Sequence, residues 1–163
     1  MSDLEQFEIP ILDISDVRAG QCGAIARAGR VLAKALEEVG FYYLMGHGVA
    51  ARKVDAAFAV TREFHALPLD DKLRLRANRH NVGYMPVNGY VSRSSRISTS
   101  NKPNLVEAFF VKRDLPLDHP DVVADKLFRG ANQWPEELPS FRPAVNAYCA
   151  AMEDLCKTML PVY

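Results

Sequence analysis

The chain has 163 residues, with 20 Lys and Arg against 20 Asp and Glu and 48% hydrophobic residues. Zero net charge argues against a nucleic-acid binder, which needs a cationic surplus on one face. No apolar run approaches the roughly 20 residues that span a bilayer, and the length suits one domain with enough chain to close a core.

The N-terminus, Met1-Ser2-Asp3-Leu4-Glu5, is acidic and lacks the basic start and apolar stretch of a signal peptide, so a cytoplasmic location is expected. Ile9-Pro10-Ile11-Leu12-Asp13-Ile14 reads as a half-buried strand, with Pro10 at its start or edge. Ala24, Ile25, Ala28, Val31, Leu32, Ala35, Leu36 and Val39 recur at steps of three and four, which predicts an amphipathic helix ended by Gly40. Phe41–Met45 is expected to be a buried strand, closed by a tight turn at Gly46-His47-Gly48.

A second helix is predicted from Ala51 to Ala66, and a short third one begins near Leu69 after Pro68, with Asp70 and Asp71 at its positive end. Arg74, Arg76, Arg79 and His80 then read as a solvated face. From Asn78 to Pro103 no period persists, apart from a short strand around Tyr84. Glu107–Val111 restores strand character, and Pro116, Pro120, Pro135 and Pro139 mark an irregular stretch. A last helix carries the stripe Phe141, Val145, Tyr148, Met152, Leu155, Cys156, Met159 and Leu160. The three cysteines are too few for a disulfide framework, and Cys149 and Cys156 are expected to be small apolar core residues.

Three segments in order carry a family resemblance. They are Ile9–Asp13 leading to Gly40–Leu44 and Gly46-His47-Gly48-Val49; Phe64–Lys72 leading to Gly83-Tyr84; and Glu107-Ala108-Phe109 leading to Asn132-Gln133-Trp134-Pro135. The set resembles the N-terminal region of the isopenicillin N synthase-like, iron(II)- and 2-oxoglutarate-dependent oxygenases. The resemblance implies an α+β fold in which helices pack on a few strands of an incomplete double-stranded β-helix, or jelly roll. In that family a His-x-Asp/Glu…His triad holds iron(II), and a downstream Arg-x-Ser pair clamps 2-oxoglutarate.

Neither device is matched in this sequence. His119-Pro120-Asp121 spells His-x-Asp, but no histidine follows it, and the other three are His47, His65 and His80. Arg93-Ser94-Ser95 and Arg96-Ile97-Ser98 spell Arg-x-Ser upstream of it, the reverse of the family order. No catalytic or metal-ligating residue is therefore expected in this chain. The final apolar stripe still runs at Tyr163, so residues 1–163 are expected to be an N-terminal domain cut before the catalytic barrel.

The expected function is the scaffold and substrate-mouth portion of an oxygenase that oxidises a small molecule, with the missing barrel as its partner. Iron(II) and 2-oxoglutarate are implied for the complete enzyme and none is expected on this chain. Tyr84, with its flat face and hydroxyl, is the leading candidate for substrate contact. Arg79 could pair with a substrate carboxylate, and Phe110 or Phe109 could form an apolar wall. Phe109 and Phe110 equally suit core positions. The rival reading is a non-catalytic binding or assembly module built on the same fold.

Overall fold

The computed structural model describes residues 8–89, 103 and 105–163. It is mixed helix and strand, in the order β1 (Ile11–Asp13), α1 (Ser15–Arg18), α2 (Ala24–Glu38), β2 (Tyr43–Met45), α3 (Ala51–His65), α4 (Leu69–Arg74), β3 (Gly83–Met85), β4 (Ala108–Phe110), α5 (Pro120–Val123) and α6 (Phe141–Met159). The chain divides into two compact units, one formed by residues up to Val54 with Tyr148–Tyr163, the other by Asp55–Ala147.

In the first unit β1 and β2 pair in parallel, with Ile11 beside Tyr43, Leu12 beside Leu44 and Asp13 beside Met45. Helix α2 makes the crossover that a parallel pair requires. Alternation along each strand sends Leu12 and Leu44 to one face, where they join Ile14, Ala28, Leu32, Met159 and Val162 in the core. Gly40, at φ +92°, follows the C-cap Val39 of α2, and its N–H donates to the Ala35 carbonyl. A side chain there would force a left-handed conformation that L residues resist.

Three expectations for this unit are corrected. Phe41–Met45 is not a buried strand: Phe41, Tyr43 and Met45 are exposed, while Tyr42 and Leu44 turn inward and pack partly buried on the core. The opposite face of the two-stranded pair, with Ile11 at 62%, Tyr43 at 59% and Met45 at 53% exposure, has no cover among the described residues. Likewise α2 buries its small residues Ala24, Ala28 and Ala35 with Leu32, while Ile25, Val31 and Leu36 stay exposed. The predicted stripe is wider than the core it meets. Cys149 and Cys156 are also exposed rather than core residues, as is Cys22, because they occupy the side of α6 against which the described residues pack little.

In the second unit β3 and β4 pair antiparallel, with Tyr84 opposite Phe109 and Gly83 opposite Phe110. Its core is aromatic: Phe64 lies 4.6 Å from Phe109, 5.5 Å from Phe141 and 5.8 Å from Tyr84 between ring centroids. Edge-on and tilted contacts of this kind contribute about 0.5–1.5 kcal/mol each beyond burial. Trp134 leans on Phe141 and carries the Arg142 guanidinium over its ring at 5.7 Å. The turns α1 and α5 were not foreseen. Each is only four residues long, too short for a period to show.

Candidate functional site

In the second unit His65, Lys72 and Glu107 gather around Tyr84. Pro68 precedes α4, and the first turn of that helix carries Asp70 and Asp71 where its exposed N–H groups favour negative charge. The next residue, Lys72, turns inward and is only 7% exposed. Its ammonium donates to the His65 carbonyl at 3.1 Å and to Glu107 Oε2 at 2.9 Å, and it sits 5.3 Å from the centre of the Tyr84 ring.

Tyr84 is held just as closely. Its backbone N–H donates to the Leu75 carbonyl and its carbonyl accepts from the Ala77 N–H. Gly83 precedes it at φ +107°, and a Cβ there would collide with the Leu75 carbonyl and the Gln133 amide. Gln133 Nε2 donates to the carbonyls of Arg76 and Val82, so the loop before β3 is tied from both sides. The Tyr84 hydroxyl donates to Glu107 Oε2 at 2.5 Å. His65 Nδ1 lies 3.2 Å from Glu107 Oε1, near enough for attraction when protonated but off the line a hydrogen bond needs.

These contacts push proton affinities away from neutrality. The hydrogen bonds from Tyr84 and then Lys72 hold Glu107 at about 2. Burial, with the hydrogen bond to Glu107, raises the Tyr84 phenol. Burial pulls Lys72 down, but the combined attraction of Glu107 and Tyr84 outweighs it and the ammonium is raised. A general acid or base works best with a pKa near the operating pH. The Lys72–Glu107–Tyr84 cluster therefore suits holding charge and geometry in place rather than exchanging protons.

Of the three residues singled out from sequence, Tyr84 is 1% exposed, with its ring in the aromatic core and its hydroxyl on Glu107. Phe110 is half-buried; alternation along β4 places it on the face opposite Phe109, which packs on Phe64. Arg79 is exposed and pairs with the Asp125 carboxylate, which also accepts from His80 Nε2 at 2.8 Å. The structure does not bring the three together around one cavity. His80, expected on a solvated face, is buried instead, because its ring packs against Gly130 and reaches Asp125.

Lys72 and Glu107 are the pair that sequence reasoning missed. A lysine three residues after Leu69 and one before Leu73 sits on the apolar side of a short helix, and that was the available signal.

The described residues do not fit an iron site. Among the described residues no three His, Cys, Asp or Glu side chains gather closely enough to hold a metal ion. His119 Nδ1 accepts from the Asp121 N–H as the N-cap of α5, and the Asp121 carboxylate is taken by Lys126 at 2.5 Å. Both Arg-x-Ser matches, at 93–95 and 96–98, lie outside the described residues. Among the described residues no helix is long and apolar enough to cross a membrane.

The family model for the N-terminal region of non-haem dioxygenases, described as non-haem dioxygenase in morphine synthesis N-terminal, matches residues 9–137. The chain is 33% identical to the 2-oxoglutarate-dependent dioxygenase citB of Monascus ruber over 98% of its own length and 48% of that protein. It is 27% identical to a homoarginine-6-hydroxylase of Arabidopsis thaliana over 93% of its length and 46% of that protein. Among solved structures, a protein of Caulobacter crescentus assigned to the 2OG-Fe(II) oxygenase family superposes with a TM-score of 0.73 at 22% identity, over 94% of this chain and 47% of that one. The chain thus spans about half the length of the relatives it matches.

Proposed function

Since the chain belongs to the non-haem dioxygenase N-terminal family, whose relatives here are 2-oxoglutarate-dependent dioxygenases, we propose that it is the scaffold portion of such an oxygenase. In this reading residues 1–163 form an N-terminal domain whose strands extend an incomplete jelly roll. The barrel that supplies the His-x-Asp…His triad and the Arg-x-Ser clamp belongs to the rest of the protein. The whole enzyme, located in the cytoplasm, would bind iron(II) and 2-oxoglutarate there and oxidise a small molecule.

One observation carries the reading: the bare apolar face of the β1–β2 pair. Parallel strands are stable when both faces are covered, yet among the described residues nothing covers Ile11, Tyr43 and Met45 on one side. A barrel packed on that face would give them the missing cover. On the second unit, the stretch from Asn78 to Tyr90 would border the substrate mouth. Arg79 would meet a substrate carboxylate by exchanging it for Asp125, and Phe110 would offer its half-buried ring. Tyr84, fixed on Glu107, would touch substrate only through whatever edge its packing leaves open.

The test is to read the coding sequence past Tyr163 and express the longer product. The proposal expects a barrel with a His-x-Asp…His set, and consumption of 2-oxoglutarate dependent on iron(II) and substrate. A stop codon directly after Tyr163 would favour the non-catalytic module, and consumption of 2-oxoglutarate by the 163-residue chain alone would overturn the scaffold assignment.

A further inference from the structure

The first unit contains a cleft of about 340 Å³ whose lining includes Arg18, His47, Arg52, Lys53, Asp154 and Thr158. Three permanent cations thus face one carboxylate, in a chain whose overall charge is zero. Of the side chains named, only His47 falls in a segment that carries the family resemblance.

Two of the donors are set in advance. Arg18 Nη1 donates to the Gly46 carbonyl at 3.1 Å, and the guanidinium fills the space that a Cβ on Gly48 would need. Gly48 adopts φ +71°, so the absence of a side chain there both permits the turn and admits the arginine. Among the described residues no acceptor takes the other side-chain N–H groups of Arg18. His47 Nδ1 accepts from the Val49 N–H at 3.1 Å, which places the proton of the neutral ring on Nε2. The side chains of Arg52 and Lys53 make no ion pair or hydrogen bond among the described residues.

We propose that this cleft binds a phosphate monoester. Guanidinium groups match phosphate oxygens with paired N–H donors, and a lysine adds a compact charge. Three cations less the Asp154 carboxylate leave a surplus that a dianion neutralises. At about 30 Å³ per water the cleft has the volume of roughly ten waters, room for a phosphate with an organic body attached. The ester's body would extend along Ala151 and Leu155 toward Asp154 and Thr158, which can meet hydroxyl groups. Because Arg18 is already ordered, binding costs less side-chain entropy than recruiting a free arginine.

The experiment is calorimetric titration of the 163-residue chain with glucose 6-phosphate at constant ionic strength, with succinate as a dianion of different shape. The expected result is saturable one-to-one binding, weaker or absent for succinate, and a loss of about tenfold or more in Arg52→Ala/Lys53→Ala. Neither side chain holds a polar partner among the described residues, and circular dichroism of this variant checks that its fold is kept. Gly48→Ala should weaken binding too, by displacing Arg18; circular dichroism identifies any unfolding, in which case the double variant alone decides. Non-saturating heats, equal binding of succinate, or binding unchanged in Arg52→Ala/Lys53→Ala would each overturn the proposal.

Discussion

Lys72 Nζ lies 2.9 Å from Glu107 Oε2, joining a helix residue to one 35 positions later in the chain, just before β4. The lysine is nearly buried while the carboxylate keeps some contact with water. Removal of the acid therefore strands the more costly charge. Glu107→Gln should destabilise the chain by about 2 kcal/mol, less than for a fully buried pair because water still reaches that end. Lys72→Met should cost less, since Glu107 retains Tyr84 and solvent. Urea denaturation of both variants checks the order.

The same carboxylate sets an acid limit. The ordinary value for Glu107 is 4.5 and the folded value is about 2, so the folded state binds the proton less well than the unfolded one. Its contribution is fully present above about pH 4.5 and disappears as the pH falls toward 2. Unfolding free energy measured from pH 6 down to pH 2.5 should fall in the parent, and fall less steeply in Glu107→Gln.

Tyr84→Phe removes a hydroxyl that donates to an ionised acceptor while keeping the ring in the aromatic core. The expected loss is roughly 1.5–3 kcal/mol, the usual range for a hydrogen bond to a charged group. Glu107 should then titrate higher than in the parent, which carboxylate NMR would register.

Gly83→Ala should be among the most damaging single-methyl additions. The residue sits at φ +107°, and the new Cβ meets the Leu75 carbonyl, a backbone atom that cannot swing away. Backbone strain alone accounts for about 1–3 kcal/mol, so a lowered thermal midpoint is expected.

Much of the helical framework was legible because it is local. The period of residues 24–39, the break at Pro68 and the glycine at position 40 all act over a few residues, and the boundaries of α2, α3 and α4 follow them closely. The family was legible from ordered short motifs, and the family-model match bears it out. What could not be read was which apolar residues find cover. Ile25 and Ala28 are equally apolar on paper, but only Ala28 meets the core. The Lys72–Glu107 pairing was hidden for a related reason: it depends on a tertiary contact spanning residues 90–102, where no period links the two sides. His80 was grouped with its arginine neighbours, and only the fold brings Asp125 and Gly130 against it.

The most direct measurement of the scaffold account is anaerobic calorimetry of iron(II) with the 163-residue chain, with and without 2-oxoglutarate. The account predicts no stoichiometric iron binding in either case, since the residues at His119 and Asp121 are committed to a helix cap and an ion pair. One-to-one iron(II) binding that tightens when 2-oxoglutarate is added would contradict it.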